Sequence, residues 1–129
     1  MKKIVFILIL CISPNAFAAD ILIFGGTNHE DFLGCLTCNP YSNDSVFNKF
    51  SRYGWENDFG IWNPFGQYRN QYSRVSACNE YTSNSPVLVD RLGTYYGRLT
   101  INQYSIESIC GIRGNAQICK ILMIMCSRR

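Results

Sequence analysis

Residues 32–42 are FLGCLTCNPYS, and residues 95–105 repeat much of this stretch as YYGRLTINQYS. With the following residues included, seven positions are identical at an offset of 63 residues: Gly34, Leu36, Thr37, Asn39, Tyr41, Ser42 and Ser45. A short apolar run precedes each copy, at 21–24 and at 87–89, and a polar connector that contains glycine follows each run, at 25–31 and at 90–94. Apolar, β-branched runs around such a connector are typical of β-hairpins. The sequence therefore predicts two related hairpins.

A second repeat is an asparagine followed two residues later by an aromatic ring. In five copies an apolar residue or a cysteine precedes the asparagine: Asn39, Asn48, Asn63, Asn79 and Asn102. Proline follows Asn39 and Asn63, which disfavours the α conformation at these two asparagines, so a shared conformation must be extended or turn-like. Asparagine side chains bond the backbone two residues further on. We therefore expect each asparagine to set a turn, with the ring packed over it and the preceding residue in a buried slot.

These segments predict an all-β or β-rich small domain, in which two β-hairpins flank irregular aromatic and asparagine repeats with short helical turns, stapled by disulfides. The chain divides into a signal peptide (1–18) and one mature domain (19–129). Within that domain we predict hairpin 1 at 19–41, the repeats at 42–86, hairpin 2 at 87–104 and a cysteine-rich tail at 105–129. The apolar part of the tail, 117–126, is expected to be a strand because its isoleucines favour that state modestly, although its length also allows a helix.

The first 18 residues have the features of a cleavable bacterial secretory signal. Lys2 and Lys3 precede a short apolar run, and an Ala-x-Ala site ends at Ala18. Cleavage near Ala18 would give a periplasmic or secreted protein with no stable membrane anchor. The alternative is a lipoprotein anchored at Cys11, which the bulky Leu10 before it disfavours.

Cleavage would also remove most of the formal charge of the chain. The full sequence has a net charge of +3, and loss of Lys2 and Lys3 leaves ten Lys and Arg against nine Asp and Glu. No cluster of basic residues resembles a nucleic-acid surface. We therefore expect no nucleic-acid partner.

The mature chain carries an even number of cysteines, which predicts disulfides in an exported protein. The six candidates are Cys35, Cys38, Cys78, Cys110, Cys119 and Cys126. Cys110 and Cys119 flank a reversal that contains glycine and are the favoured pair. Cys35 and Cys38, if they lie on one strand, would point to opposite faces, so we expect them to reach Cys78 and Cys126 instead of each other. Zinc is the alternative for the Cys-x-x-Cys spacing, but no second pair has that spacing, and we expect no metal.

The sequence contains no recognisable catalytic motif and implies no cofactor. His29 is the only histidine, and a hydrolase would need a serine or cysteine nucleophile beside it. No Gly-x-Ser-x-Gly motif is present. An exposed hairpin tip is the simpler interpretation of the His-Glu-Asp sequence, and we predict that the protein is not an enzyme.

The rings are the remaining candidates for a function. Residues 40–86 contain no leucine, so most rings are expected to fill the core. Rings with a polar group suit binding surfaces, and the candidates for exposed binding residues are Trp55, Tyr53, Tyr68 and Tyr95.

The motifs Asn63-Pro64-Phe65-Gly66-Gln67-Tyr68 and Tyr72-Ser73-x-x-Ser76-x-x-Asn79 resemble the Asn-Pro-Tyr-Gly tandem repeats of exported bacterial proteins of unknown function. The resemblance spans about 32–110. It is degenerate, with Phe50 and Phe65 in place of tyrosine, and the additional cysteines suggest a disulfide-stabilised variant. It implies no catalytic residues.

Together these observations predict a small exported protein that binds or builds structure in the cell envelope or outside the cell. Cell-wall glycan and another exported protein are the expected partners. A secreted inhibitor or toxin-like effector that acts on a partner enzyme is the alternative. A hydrolase that uses His29 is the third possibility.

Overall fold

Two β-hairpins form one four-stranded antiparallel sheet. The computed structural model describes residues 19–57 and 60–127. Hairpin 1 consists of β1 (Ile21–Gly25) and β2 (Asp31–Cys35), and hairpin 2 of β3 (Val87–Asp90) and β4 (Tyr95–Arg98). The strands lie in the order β2-β1-β3-β4. The predicted β-rich class and both predicted hairpins are confirmed.

The two hairpins are structural copies that meet along β1 and β3. Ile23 of β1 lies opposite Leu88 of β3. Ile23 also pairs with Gly34 in its own hairpin, and Leu88 pairs with Gly97 in the other. The register is irregular directly after Ile23 and directly after Leu88. The repeated sequence is therefore a repeated structure, centred on the Ile23 and Leu88 pair.

Gly34 and Gly97 occupy backbone conformations that L side chains rarely adopt, with φ of 112° and 115°. A Cβ atom at Gly34 would lie 3.0 Å from the carbonyl oxygen of Asp44, and one at Gly97 would lie 2.7 Å from that of Glu107. The chain that follows each hairpin therefore packs against the backbone of its outer strand, and glycine makes room for it.

This close packing covers the ends of the outer strands with hydrogen bonds. The N–H of Cys35 donates to the Asp44 carbonyl at 2.7 Å, and the N–H of Arg98 donates to the Glu107 carbonyl at 2.7 Å. A parallel bridge follows at the same place in each copy, Cys35 with Ser45 and Arg98 with Ser108. Unpaired strand edges invite association with other chains, and here the following chain occupies part of each edge.

After each hairpin the chain forms consecutive turns spaced three residues apart. In the first turn segment (39–82), the N–H of every third residue donates to the carbonyl three residues earlier, with one shift of phase at Asn70. The second turn segment (102–114) continues the same pattern. The residues at the start of these turns are all Asn, Ser, Gly or Thr, which are favoured in turns. The predicted asparagine repeat is thus one part of a three-residue repeat.

The core is filled by turns that begin with serine or glycine rather than by most of the rings. Buried side chains follow Ser45, Gly60, Ser76 and Ser108 directly: Val46, Ile61, Ala77 and Ile109. They pack with sheet and helix residues that include Ile23, Leu33, Leu88, Leu99 and Leu122. The predicted slot before the asparagine is buried at Trp62 and Cys78, whereas Phe47 is partly exposed.

The expectation that the ring after each asparagine packs into the core is wrong. These rings point into solvent: Tyr41, Phe50, Phe65, Tyr72, Tyr81 and Tyr104. The physical reason is that the turns satisfy their own backbone groups locally. The apolar residues that follow Ser45, Gly60, Ser76 and Ser108 face the sheet and fill the interior. The rings are therefore not needed to fill the interior.

The predicted strand at 117–126 is also wrong, because the tail forms helix α1 (Ala116–Ser127). The side chain of Asn115 caps this helix by accepting the N–H groups of Gln117 and Ile118, both at 3.0 Å. Cys119 and Cys126 are two helical turns apart and so share one face. Their two disulfides fix that face against the domain, which overrides the modest strand preference of isoleucine.

All six cysteines of the described residues are paired. The predicted pair Cys110–Cys119 is confirmed, and Cys78 pairs with Cys126. The prediction that Cys35 and Cys38 do not pair with each other is wrong, because they form a disulfide with a Cα separation of 5.6 Å. Strand β2 ends at Cys35, so the alternation of a strand does not extend to Cys38.

The predicted signal peptide and Cys11 lie outside the described residues. Within 19–57 and 60–127, no helix has both the length and the apolar character needed to cross a membrane.

Removal of the disulfide between Cys78 and Cys126 is expected to cost more stability than removal of the one between Cys35 and Cys38. The closed loops span 48 and 3 residues, and loop entropy predicts losses of about 4 and about 1.5 kcal/mol in the free energy of unfolding. Urea unfolding of C78S/C126S and C35S/C38S, with the remaining disulfides verified by mass spectrometry, measures both. Equal losses would contradict this order.

Asn102 is expected to stabilise the contact between the two turn segments. Its buried side chain donates from Nδ2 to the Thr82 carbonyl at 2.8 Å and accepts the N–H of Tyr104 at 3.0 Å. Asn102→Ala should lower the free energy of unfolding by about 1–3 kcal/mol, because buried backbone groups lose their partners. Asn43→Ala, at an exposed position, is the control in the same thermal unfolding assay. A loss in N102A no larger than in N43A would show that the contact does not depend on this side chain.

Candidate binding surface

The turn segments expose a set of aromatic rings, which we call the aromatic face. It consists of Tyr41, Phe50, Phe65, Tyr72, Tyr81 and Tyr104, whose exposed fractions run from 81% at Tyr81 to 96% at Phe65. Each ring is the third residue of a turn that begins with asparagine. The exposure is therefore a systematic property of the turn and not an accident at one position.

The asparagine fixes the backbone of the residue that carries the ring. In every one of these turns the asparagine Oδ1 accepts the N–H of the ring residue at 2.8–3.0 Å. This is the bond expected from the sequence. In three turns of the first segment the asparagine Nδ2 also donates to a carbonyl six residues earlier, from Asn48 to Ser42, Asn63 to Asn57 and Asn79 to Ser73. In these three turns the ring is thus held on a backbone that is tied to a carbonyl two turns earlier.

The second turn segment extends the first one. Asn102 donates to the carbonyl of Thr82 rather than to a carbonyl six residues earlier in its own chain segment. The N–H of Ile101 donates to the Ala77 carbonyl at 3.1 Å. The pKa of Tyr81 is raised mainly by its hydrogen bond with Glu80 and by the charge of that carboxylate, and nearby Tyr104 adds to the shift. The aromatic face therefore continues from one turn segment onto the other.

A groove of about 930 Å³ opens on the aromatic face. Its lining residues are Pro64, Phe65, Arg69, Asn70, Gln71, Tyr72, Cys78, Asn79, Glu80, Tyr81, Ile101 and Cys126. The lining combines rings with amide side chains, because two asparagine turns, at Asn70 and Asn79, contribute to it. The buried Cys78, bonded to Cys126, joins the groove to helix α1.

The charges in the groove are one carboxylate and one guanidinium. The Arg69 side chain is buried and donates from Nε to the Met125 carbonyl at 2.9 Å. A hydrogen bond with the exposed Glu80, together with its charge, raises the pKa of Tyr81 above its usual value. Near neutral pH the groove therefore offers an un-ionised phenol beside a carboxylate, which can donate and accept hydrogen bonds.

The four residues predicted to bind do not come together in the structure. Trp55 and Tyr95 are exposed. The Tyr53 ring packs on the Phe32 ring with centroids 5.0 Å apart. Tyr68 is buried, and its hydroxyl donates to Asp31 at 3.0 Å. None of the four lines the groove.

His29 lies at the tip of hairpin 1 with a φ of 57°. Its Nε2 is 3.0 Å from the Ser85 carbonyl oxygen and 3.2 Å from Nη1 of Arg98. Arg98 also donates to the Ser85 carbonyl at 3.0 Å and pairs with Glu107 at 3.6 Å. Ser85 is fully buried, so its hydroxyl is inaccessible to a substrate. The contacts of His29 connect the two hairpins.

One group of described residues could hold a metal ion by proximity. The ligand atoms of Asp20, Cys35 and Cys38 lie within 4.8 Å of one another. The two sulfur atoms are joined as a disulfide, whereas metals bind the thiolate form of cysteine. The oxidised protein therefore uses this group as a crosslink.

The sequence contains a signal for the aromatic face that its first interpretation missed. The residue between asparagine and ring is polar or proline in every case: Pro40, Lys49, Pro64, Gln71, Glu80 and Gln103. In the turns that face the core the same position is apolar. Ile106 and Ile112 are exposed although each is apolar at this position, so the regularity marks the asparagine turns but does not by itself separate outward from inward turns.

No protein-family model matches this chain, and no curated protein and no solved structure matches it.

Stability is expected to decline at alkaline pH because of two tyrosines. Burial, with the hydrogen bond to Asp31 and its charge, raises the pKa of Tyr68 to about 12. Burial also raises the pKa of Tyr95 to about 12, with Glu107 adding to the effect. Since an unfolded tyrosine titrates near about 10, the stabilising effect is complete below pH 10 and is lost as the pH rises through 12.

Thermal unfolding between pH 8 and 12 measures this decline, with Tyr68→Phe and Tyr95→Phe as the variants. Phenylalanine has no ionisable hydroxyl, so Y68F/Y95F should show a shallower fall of Tm over the alkaline range. The Tm at pH 8 gives the reference for each variant. A fall as steep as that of the unmodified protein would contradict the assignment.

Proposed function

We propose that this protein is an exported, disulfide-stabilised binding protein that holds a glycan of the cell envelope on its aromatic face. Its three disulfides are typical of a small stable domain in an oxidising compartment. The periplasm or the exterior of a bacterium is the location that the sequence of the first 18 residues favours.

The observation that carries the proposal is the repeated exposure of rings at one position of the turn. Six rings are more than four-fifths exposed, and three of them, Phe65, Tyr72 and Tyr81, line one groove, an exposed apolar area of the kind that marks a binding site. Their backbones are fixed by asparagine hydrogen bonds. A ligand would therefore meet rings whose positions are already set, which lowers the entropic cost of binding.

The chemistry of the groove suits a sugar better than a purely apolar ligand. A sugar ring presents C–H groups on its faces and hydroxyl groups at its rim, and tyrosine combines an apolar body with a polar end. Phe65, Tyr72 and Tyr81 offer ring surface, and the exposed Gln71 and Glu80 side chains offer hydrogen-bonding groups beside them. The continuation of the face from Tyr81 to Tyr104 suits an extended chain of sugars.

Loss of two groove rings is expected to weaken glycan binding. In a pull-down of the oxidised mature protein on purified peptidoglycan, Tyr72→Ala and Tyr81→Ala should each reduce affinity by about 5- to 30-fold, the effect of losing an aromatic contact of about 1–2 kcal/mol. Both rings are exposed, so the fold should persist in each variant.

Leu92→Ala is the matched control, because Leu92 is an exposed apolar residue in the turn of hairpin 2. It should bind peptidoglycan as the unmodified protein does. Retention of a protein partner without retention on peptidoglycan would contradict the glycan proposal and favour an inhibitor. Equal binding by Y72A, Y81A and L92A would show that the groove is not the site.

A further inference from the structure

A second exposed apolar surface lies at the C-terminal end of the described chain and consists of residues that do not belong to the aromatic face. Ile112, Ile121, Met123 and Ile124 are exposed, by 107%, 39%, 46% and 48%. The last three lie on helix α1, and Ile112 is in the turn that precedes it. We call these four residues the helix patch.

The charge of the chain is divided between this end and the remainder. Residues 108–129 contain Arg113, Lys120, Arg128 and Arg129 and no acidic residue, a net charge of +4. Residues 19–107 contain six basic and nine acidic residues, a net charge of −3. Lys120 and Arg113 are exposed beside the helix patch. Within residues 108–129, every charged residue near the helix patch is therefore positive.

The disulfides prevent the helix from turning this patch inward. Cys119 is bonded to Cys110, and Cys126 is bonded to Cys78. Leu122, between them, is fully buried, and Ile118 and Met125 pack against the core. With that face fixed, Ile121 and Ile124 must face outward.

We propose that helix α1 binds the surface of an anionic lipid bilayer, with the helix patch in the interface and the basic residues at the lipid headgroups. Helices that lie in the plane of a membrane surface carry apolar residues on one face and basic residues beside them; helix α1 exposes apolar residues and Lys120, and the exposed Arg113 precedes it. Each basic residue near an anionic surface adds about fivefold to binding. The association is reversible and is independent of the glycan proposed for the aromatic face.

The test is co-sedimentation of the oxidised mature protein with vesicles. Vesicles of phosphatidylglycerol and phosphatidylcholine should retain the protein, and vesicles of phosphatidylcholine alone should retain much less. Rising salt should weaken the retention, since charge attraction to the headgroups is screened. Equal retention on both vesicle types, or none on either, would overturn the proposal.

Two variants assign the binding to the helix patch. Ile124→Glu places a charge in the patch and should reduce retention more than tenfold. Lys120→Glu, at an exposed residue, should reduce it by at least fivefold without disturbing the core. Leu92→Glu introduces the same charge at an exposed apolar residue of hairpin 2 and should retain vesicle binding.

Far-ultraviolet circular dichroism and the intact mass of the oxidised chain confirm that each variant is folded. Phe50→Ser tests whether vesicle binding depends on the aromatic face, because Phe50 is exposed and belongs to the first turn segment. Loss of vesicle binding in F50S or L92E, with retention in K120E, would overturn the assignment to helix α1.

Discussion

The close approach of a carbonyl group to a glycine, made twice, is the contact on which the rest of the structure depends. The Asp44 carbonyl packs against Gly34, and the Glu107 carbonyl packs against Gly97. A side chain at either glycine would crowd that carbonyl, and the backbone conformation there is one that only glycine adopts readily. This contact fixes where each turn segment starts relative to the sheet, and therefore which of its turns face inward.

Consecutive turns solve the problem of a chain with few aliphatic residues. Each turn pairs its backbone groups with the turn before it, and asparagine and serine side chains add bonds to nearby N–H groups. Because backbone polar groups are satisfied locally, one side of the segment can face the core while another faces solvent. One side contributes Val46, Ile61 and Ala77 to the core, and another presents rings to solvent.

The domain consequently offers two different surfaces. The aromatic face combines rings with amides and a carboxylate in a groove. The helix patch combines isoleucine and methionine with basic residues and is fixed outward by two disulfides. We propose a glycan as the ligand of the first surface and an anionic lipid bilayer as that of the second.

Local features of this protein were determined by the sequence itself. The duplication around Gly34 and Gly97, the asparagine bond two residues on and the Cys110–Cys119 pair follow from short-range geometry, which a sequence pattern records directly. The exposure of the rings, the helical tail and the pairing of Cys78 with Cys126 were decided only by the tertiary structure. Each depends on which side of a turn or helix faces the sheet, and distant parts of the chain set that orientation.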